Sequence, residues 1–262
     1  MNGFYQFSLP LETNLFDELA TSVAFEAVGK GRLGNHLVKL SDLGIPLVRT
    51  TTKYTIPPHD FSAIHNTIVE SIQNTIQTTD EIPIDEVSFN NALIEIYDAS
   101  YKKMKYHSDQ SLDLDSTSYI ALFSCYEHPN DVSKHALRKL KVRDKTTNKE
   151  FEFVLENNSV VLFSCATNTK FQHKIVLEQV SGKKPVAIEN RWLGITFRTS
   201  KTFIQFKNDK PYFPNGELLQ LADETQRRSF YMTRGEENKS MDFKYPEIYY
   251  TLSEADLMFP KR

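Results

Sequence analysis

Between Pro83 and Phe206 the chain is a run of short apolar segments cut by polar turns. Two of them, Tyr119-Ile120-Ala121-Leu122-Phe123-Ser124-Cys125 and Val160-Val161-Leu162-Phe163-Ser164-Cys165, are almost wholly apolar. A strand of that kind is buried on both faces. Ala92 to Tyr97, Leu137 to Val142, Phe151 to Leu155, Lys170 to Leu177, Trp192 to Phe197 and Thr202 to Phe206 read as further strands. Lys145-Thr146-Thr147-Asn148-Lys149 is a polar turn that makes a hairpin of the 137–142 and 151–155 segments. Many short strands at close spacing predict an antiparallel sandwich or barrel.

One helix precedes this region. Pro57-Pro58 stops an extended, β-branched stretch from Val48 to Tyr54, and Asp60 is a suitable N-cap. Phe61, Ile64, Ile68, Ile72 and Ile76 then fall on one helix face. His65 lies on the flank of that stripe and reads as a packing residue. Residues 1–50 show weak periodicity. Beyond Lys207, Glu217 to Tyr231 has a helical pattern, and Ser253 with Asp256 reads as a capping box for a last short helix. The predicted class is mainly β with flanking helices (α+β).

Composition narrows the function classes. With 40% hydrophobic and 25% charged residues, the chain of 262 residues is ordinary globular material. No apolar run approaches the ~18 residues of a membrane span. The N-terminus has neither a basic start nor a long apolar stretch, so the expected location is intracellular, cytoplasmic or nuclear. The net charge of −3 does not suit wrapping nucleic acid by charge alone. Cys125 and Cys165 are too few for a disulfide framework and read as small core residues in a reducing compartment.

The chemistry is concentrated in Tyr106-His107-Ser108-Asp109. On an extended chain, His107 and Asp109 point to the same side and offer two ligands to one metal. The third must come from a distant strand. His173 is the best candidate, with His128 and His135 as competitors. Two histidines and a carboxylate with open positions suit non-haem Fe(II).

The ordered set Leu93-Ile94-Glu95-Ile96-Tyr97, His107-Ser108-Asp109, Ser118 to Ser124, Asn158 to Phe163, Phe171-Gln172-His173 and Thr196-Phe197-Arg198 resembles the AlkB-like branch of the Fe(II)/2-oxoglutarate dioxygenases. The match covers roughly residues 45–206. The resemblance implies a double-stranded β-helix, or jelly roll, and a dioxygenase domain over 1–206, including an N-terminal lid and helical segment. Residues 207–262 are then a C-terminal helical extension.

It implies Fe(II), 2-oxoglutarate and O2, with His107, Asp109 and His173 on the metal. Arg198 would pair with a co-substrate carboxylate and Tyr97 would hydrogen-bond it. The lid position falls on residues 48–54, which makes Arg49 and Thr51, together with Tyr106, candidate substrate contacts. The implied activity is oxidative demethylation or hydroxylation of a methylated nucleobase in DNA or RNA. Single strands are favoured because the target base must leave its stack. A protein or small-molecule hydroxylase, and a non-catalytic jelly-roll binding module, are the alternatives on the same fold.

Three positions depart from the branch. Its second arginine falls on Trp192, so Arg191 can serve only if a bulge near Gly194 shifts the register. Its asparagine is Glu95 here, a carboxylate that would repel the co-substrate unless protonated or turned away. Its acidic base reader is Ser111. A basic cluster from Lys134 to Lys145 on the predicted hairpin could track phosphates, or be a solvated sheet face.

Overall fold

The computed structural model describes residues 3–102, 104–131, 137–177 and 190–262. In chain order the elements are β1 (Phe4–Ser8), α1 (Phe16–Thr21), β2 (Glu26–Gly29), β3 (Arg32–Val38), β4 (Ile45–Pro46), β5 (His59–Asp60) and α2 (Ala63–Gln77). There follow β6 (Asn91–Tyr97), β7 (Tyr119–Tyr126), β8 (Arg138–Asp144), β9 (Glu150–Val154), β10 (Ser159–Ser164), α3 (Cys165–Lys170), β11 (Phe171–Leu177) and β12 (Trp192–Arg198). The chain closes with β13 (Phe203–Lys207), β14 (Lys210–Tyr212), β15 (Gln220–Leu221), α4 (Glu224–Glu237) and β16 (Tyr250–Thr251).

The large sheet runs β1-β10-β7-β12-β6-β3-β2, with β5 added beside β3. A small sheet, β11-β8-β9, faces it. Two antiparallel sheets face to face are the jelly-roll arrangement. Alternation along the central strands divides their side chains between two cores. Ile94, Ile96, Ala121, Phe123, Ile195 and Phe197 face outward and bury Ile68, Ile72 and Ile76 of α2. Tyr97, Ile120, Leu122, Tyr126 and Trp192 face inward, onto Leu140, Val142, Phe153 and Ile175. No described helix is long and apolar enough to cross a membrane.

Several expectations change. Residues 4–38 form three strands of the large sheet rather than an unpatterned entry segment. In β3, Gly34, Asn35 and His36 hide the strand because none is a strong β former. Pairing with β6 and burial supply what propensity does not. The 48–54 segment, read as extended, pairs with none of the described strands. α2 begins one turn later than Asp60. Ser62 is its N-cap, and the Ser62 backbone N–H donates to His65 Nδ1 at 3.0 Å.

Cys165 opens the short helix α3 instead of ending a strand, because Ser164 Oγ accepts from Thr167 N and turns the chain. α4 starts at Glu224, not Glu217. The pair Asp223 and Gln226 forms a reciprocal capping box at 2.8 and 3.0 Å. Ser253 stands at the N-cap position of the last short helical turn, Glu254–Leu257, but makes no side-chain cap: its hydroxyl donates to Tyr54 O, 3.1 Å away.

Candidate metal centre and its cavity

His107 and His173 lie on adjacent segments and exchange two backbone hydrogen bonds of 3.0 and 2.7 Å. That bridge extends the small sheet by one short rung and places the imidazoles 4.7 Å apart, centre to centre. Asp109 returns to the same side two residues after His107. Its Oδ1 is 3.4 Å from His173 Nε2 and 4.0 Å from His107 Nε2. One ligand atom from each of the three residues lies within 4.8 Å of the others, so the group can hold a metal ion. His128 stands elsewhere, its backbone paired with the Asn190 side chain. His135 lies outside the described residues.

The supporting contacts fix both the tautomer and the charge state. His107 Nδ1 is 3.0 Å from Lys105 O. A carbonyl only accepts, so Nδ1 carries the proton and Nε2 is left bare toward the centre. Burial first, then His173, hold the His107 ring below its ordinary protonation range. Burial pushes the Asp109 carboxyl up, but Arg198, then the hydrogen bond and charge of His173, outweigh it and hold the carboxyl well below the usual range. A neutral His107 ring and an ionised Asp109 carboxylate are the states a divalent metal needs. With the third side open to a cavity, this donor set fits Fe(II).

Asp109 is also clamped through its backbone. Asn168 of α3 accepts from Asp109 N at 2.7 Å and donates to Asp109 O at 2.8 Å. A second clamp comes from α4. Ser111 gives both its N–H and its hydroxyl to Glu237 Oε1, at 2.7 and 2.6 Å. Arg234 and Tyr245 close on Glu237 Oε2 at 2.8 and 2.6 Å. Arg234 also donates to Ser108 O, and Ser108 N donates to Asn238 Oδ1 at 2.9 Å. The segment after residue 207 thus grips the His107–Ser111 loop.

The cavity has an outer lobe of about 340 Å³ and an inner lobe of about 80 Å³. Arg32, Leu93, Met104, His107, Asp109 and Arg198 line both. A larger depression of about 450 Å³, beside Val69, Gln73 and Phe89, contains none of the triad.

Arg198 lines both lobes, with its Nε 2.7 Å from Asp109 Oδ2. Tyr97 lines the inner lobe, and its hydroxyl donates to Glu95 Oε2 at 2.6 Å. Thr51 lines the outer lobe between Thr50 and Thr52. Arg49 does not reach the cavity: it forks onto Asp113 at 3.0 and 2.6 Å and donates to Ile248 O. Tyr106 faces the other way, its ring about 4 Å from both Arg143 (4.2 Å) and Lys174 (4.1 Å). The one-residue step from His107 turns it outward.

Arg191 does not enter the cavity either. β12 keeps an unbroken register against β6 from Trp192 to Arg198 and against β7 from Trp192 to Phe197. Without a slip, Arg191 lies on the helix-covered face, with Glu127 at 2.9 and 2.6 Å and the Phe16 ring 5.2 Å away. Gly194 makes room for a ring instead of a bulge. A Cβ there would sit 2.0 Å from Trp192 Cη2, whose indole N–H donates to Ser124 Oγ at 2.7 Å.

Sequence reasoning missed Arg32, Asn168, Arg234 and Glu237. Only α4 carried a local signal, the Asp223-x-x-Gln226 capping pattern. The hairpin is less cationic than it reads. Arg138 is buried, donating to Asp98 O and Tyr101 O, while Lys139 and Lys141 face Glu152. Lys134 lies outside the described residues.

No curated protein matches the sequence. Among solved structures, OsALKBH1 is similar over 75% of this chain and 98% of its own, at 15% identity and a TM-score of 0.49. A prolyl-4-hydroxylase from Pseudomonas putida is similar over 75% and 92%, at 12% identity and a TM-score of 0.43. The profile of the 2OG-Fe(II) oxygenase superfamily matches residues 44–198, more than half of the chain and the span that carries His107, Asp109, His173 and Arg198. The chain belongs to that superfamily and is a 2-oxoglutarate-dependent dioxygenase that uses Fe(II), 2-oxoglutarate and O2.

Proposed function

We propose that the enzyme oxidises a methylated nucleobase in DNA or RNA, as an AlkB-like member of its superfamily, with His107, Asp109 and His173 as the iron ligands. The observation that carries this reading is the outer lobe. It joins a row of hydroxyls, Thr50, Thr51 and Thr52, and the Gln110 amide to the cation Lys105, while Arg234, which also lines it, is taken by Glu237 and Ser108 O. Neutral hydrogen-bonding groups suit a polar heterocycle, and a cation beside them suits its phosphate. When bound, iron with 2-oxoglutarate and oxygen supplies the oxidation of the substrate C–H bond. The chain's own part is to hold Asp109 ionised through Arg198 and to keep the triad rigid through Asn168 and Glu237. An N-methyl group so hydroxylated leaves as formaldehyde, whereas a carbon-bound methyl stays hydroxylated.

In this reading Ser111 does not read a base, because both its donors are taken by Glu237. Discrimination then falls to Thr51 and its neighbours. Residues 207–262 act as part of the oxygenase unit. Single strands are favoured, since a base must leave its stack to reach the triad. The free, buried thiols of Cys125 and Cys165 support a cytoplasmic or nuclear setting.

Succinate formation in the presence of methylated single strands, the matching duplexes and methylated peptides is the test. Single strands are expected to stimulate turnover at least about tenfold over duplex. Binding should fall steeply with salt, as phosphate contacts require. Stimulation by peptides alone would replace this reading with a protein hydroxylase.

A further inference from the structure

The floor of the inner lobe carries an unusual pairing. Arg32 of β3 places both Nε and a terminal nitrogen 2.5 Å from Glu95 Oε1, while Tyr97 donates to Glu95 Oε2 at 2.6 Å. Glu95 is flanked in register by two glycines, Gly34 on β3 and Gly194 on β12. The room above Gly34 is taken by Tyr54, whose hydroxyl would sit 2.9 Å from an added Cβ. That hydroxyl is buried and has no partner. A guanidinium and two phenols therefore lie around Glu95, whose carboxylate already holds two of the three.

Two of the alternatives for a distal carboxylate do not reach the inner lobe, and the third is tied to Asp109 through one nitrogen. Arg198 is on Asp109, Arg191 is on Glu127, and the inward position of β12 next to Tyr97 is Trp192. Among the described residues lining the inner lobe, Arg32 and Arg198 are the two with guanidinium groups.

We propose that Arg32 receives the distal carboxylate of 2-oxoglutarate and that Glu95 competes for it, so that Glu95 sets the enzyme's affinity for its co-substrate. Two ionised carboxylates on one guanidinium repel each other. Co-substrate binding therefore requires Glu95 to give up Arg32 and Tyr97, and this cost weakens binding of a dicarboxylate only. A 2-oxo acid with an uncharged tail makes no such demand. The proposal holds whichever prime substrate is oxidised, so a failed oligonucleotide screen leaves it standing.

The test is equilibrium binding to the Mn(II)-loaded protein, read by calorimetry without turnover. The ligands are 2-oxoglutarate and 2-oxopentanoate, which replaces the distal carboxylate with a methyl end. Glu95→Gln is expected to bind 2-oxoglutarate at least about fivefold tighter. Arg32→Gln is expected to bind it at least about tenfold more weakly, the scale of one lost charge-assisted contact. Both variants should bind 2-oxopentanoate within about twofold of wild type.

The double variant Arg32→Gln, Glu95→Gln keeps a neutral hydrogen-bonded pair on the floor and covers the case in which a single variant misfolds. It is expected to lose the preference for 2-oxoglutarate over 2-oxopentanoate. Unchanged or weaker 2-oxoglutarate binding in Glu95→Gln would overturn the competition. Unchanged binding in Arg32→Gln, or a preserved preference in the double variant, would overturn the assignment of Arg32.

Discussion

Asp109→Ala is expected to abolish stoichiometric Fe(II) binding and all succinate formation, and to destabilise the metal-free protein as well. The two losses have different causes. Removing a ligand should weaken metal binding by more than about 100-fold, because loss of an outer-shell partner alone costs roughly 10–100-fold. The stability loss arises because Arg198, buried and 2.7 Å from Asp109, is left without its carboxylate. An uncompensated buried charge costs about 3–5 kcal/mol.

His173→Ala should lose the metal but keep most of the metal-free stability, since Asp109 and Arg198 remain paired. The pH dependence follows the same logic. The Asp109 carboxyl is held down in the folded state. Its contribution is therefore present above its unfolded value of about 3.9 and is lost as pH falls through the lower folded value. Urea melts of the metal-free variants at pH 7, beside metal titrations, separate the two effects. Equal stability of Asp109→Ala and His173→Ala would contradict the Arg198 account.

Glu237→Ala carries the second large effect, although residue 237 lies far from the triad in sequence. Its carboxylate accepts from Ser111 twice, from Arg234 and from Tyr245. Truncation leaves the Arg234 guanidinium without its carboxylate, with only Ser108 O as acceptor, and three other donors without a partner in a buried place. A loss of about 3–5 kcal/mol is expected in chemical denaturation. Ser111 is two residues beyond Asp109, so the loop that carries the ligands should loosen and Mn(II) affinity should fall about tenfold. Glu237→Gln keeps one carbonyl acceptor and is expected to fall between. A protein that loses the stability but keeps full metal affinity would show that α4 braces the fold without positioning the triad.

What the sequence made legible follows from where each element's information is stored. β7 and β10 are nearly continuous apolar runs, and α2 repeats isoleucine at helical spacing, so burial is written into the local residues. β3 is not legible that way. Gly34 is there to admit Tyr54, and Asn35 is buried because its amide donates to Ala24 O and Pro57 O. α3 was hidden because Phe-Ser-Cys continues the strand composition, and only the Ser164 cap turns it.

The same division runs through the site. His107-x-Asp109 is a local statement about two side chains on one side of an extended chain. The Glu95 departure was visible, but its partner Arg32 is 63 residues away on a strand without a pattern. The bulge at Gly194 that Arg191 would need to serve is absent for a related reason. A glycine signals a close approach without saying by what, and here the approach is the Trp192 indole. Arg49 and Tyr106 sit next to the right segments, yet Asp113 holds one away from the cavity and the strand's alternation turns the other outward.

The central claim is that one metal ion sits between His107, Asp109 and His173 with an open side facing the cavity. Anomalous scattering from crystals grown with Mn(II) and 2-oxoglutarate tests it most directly. A single manganese peak is expected within coordinating distance of both Nε2 atoms and Asp109 Oδ1, with 2-oxoglutarate density in the adjoining lobe. A peak held by His128 or His135, or a manganese site lacking Asp109, would contradict it.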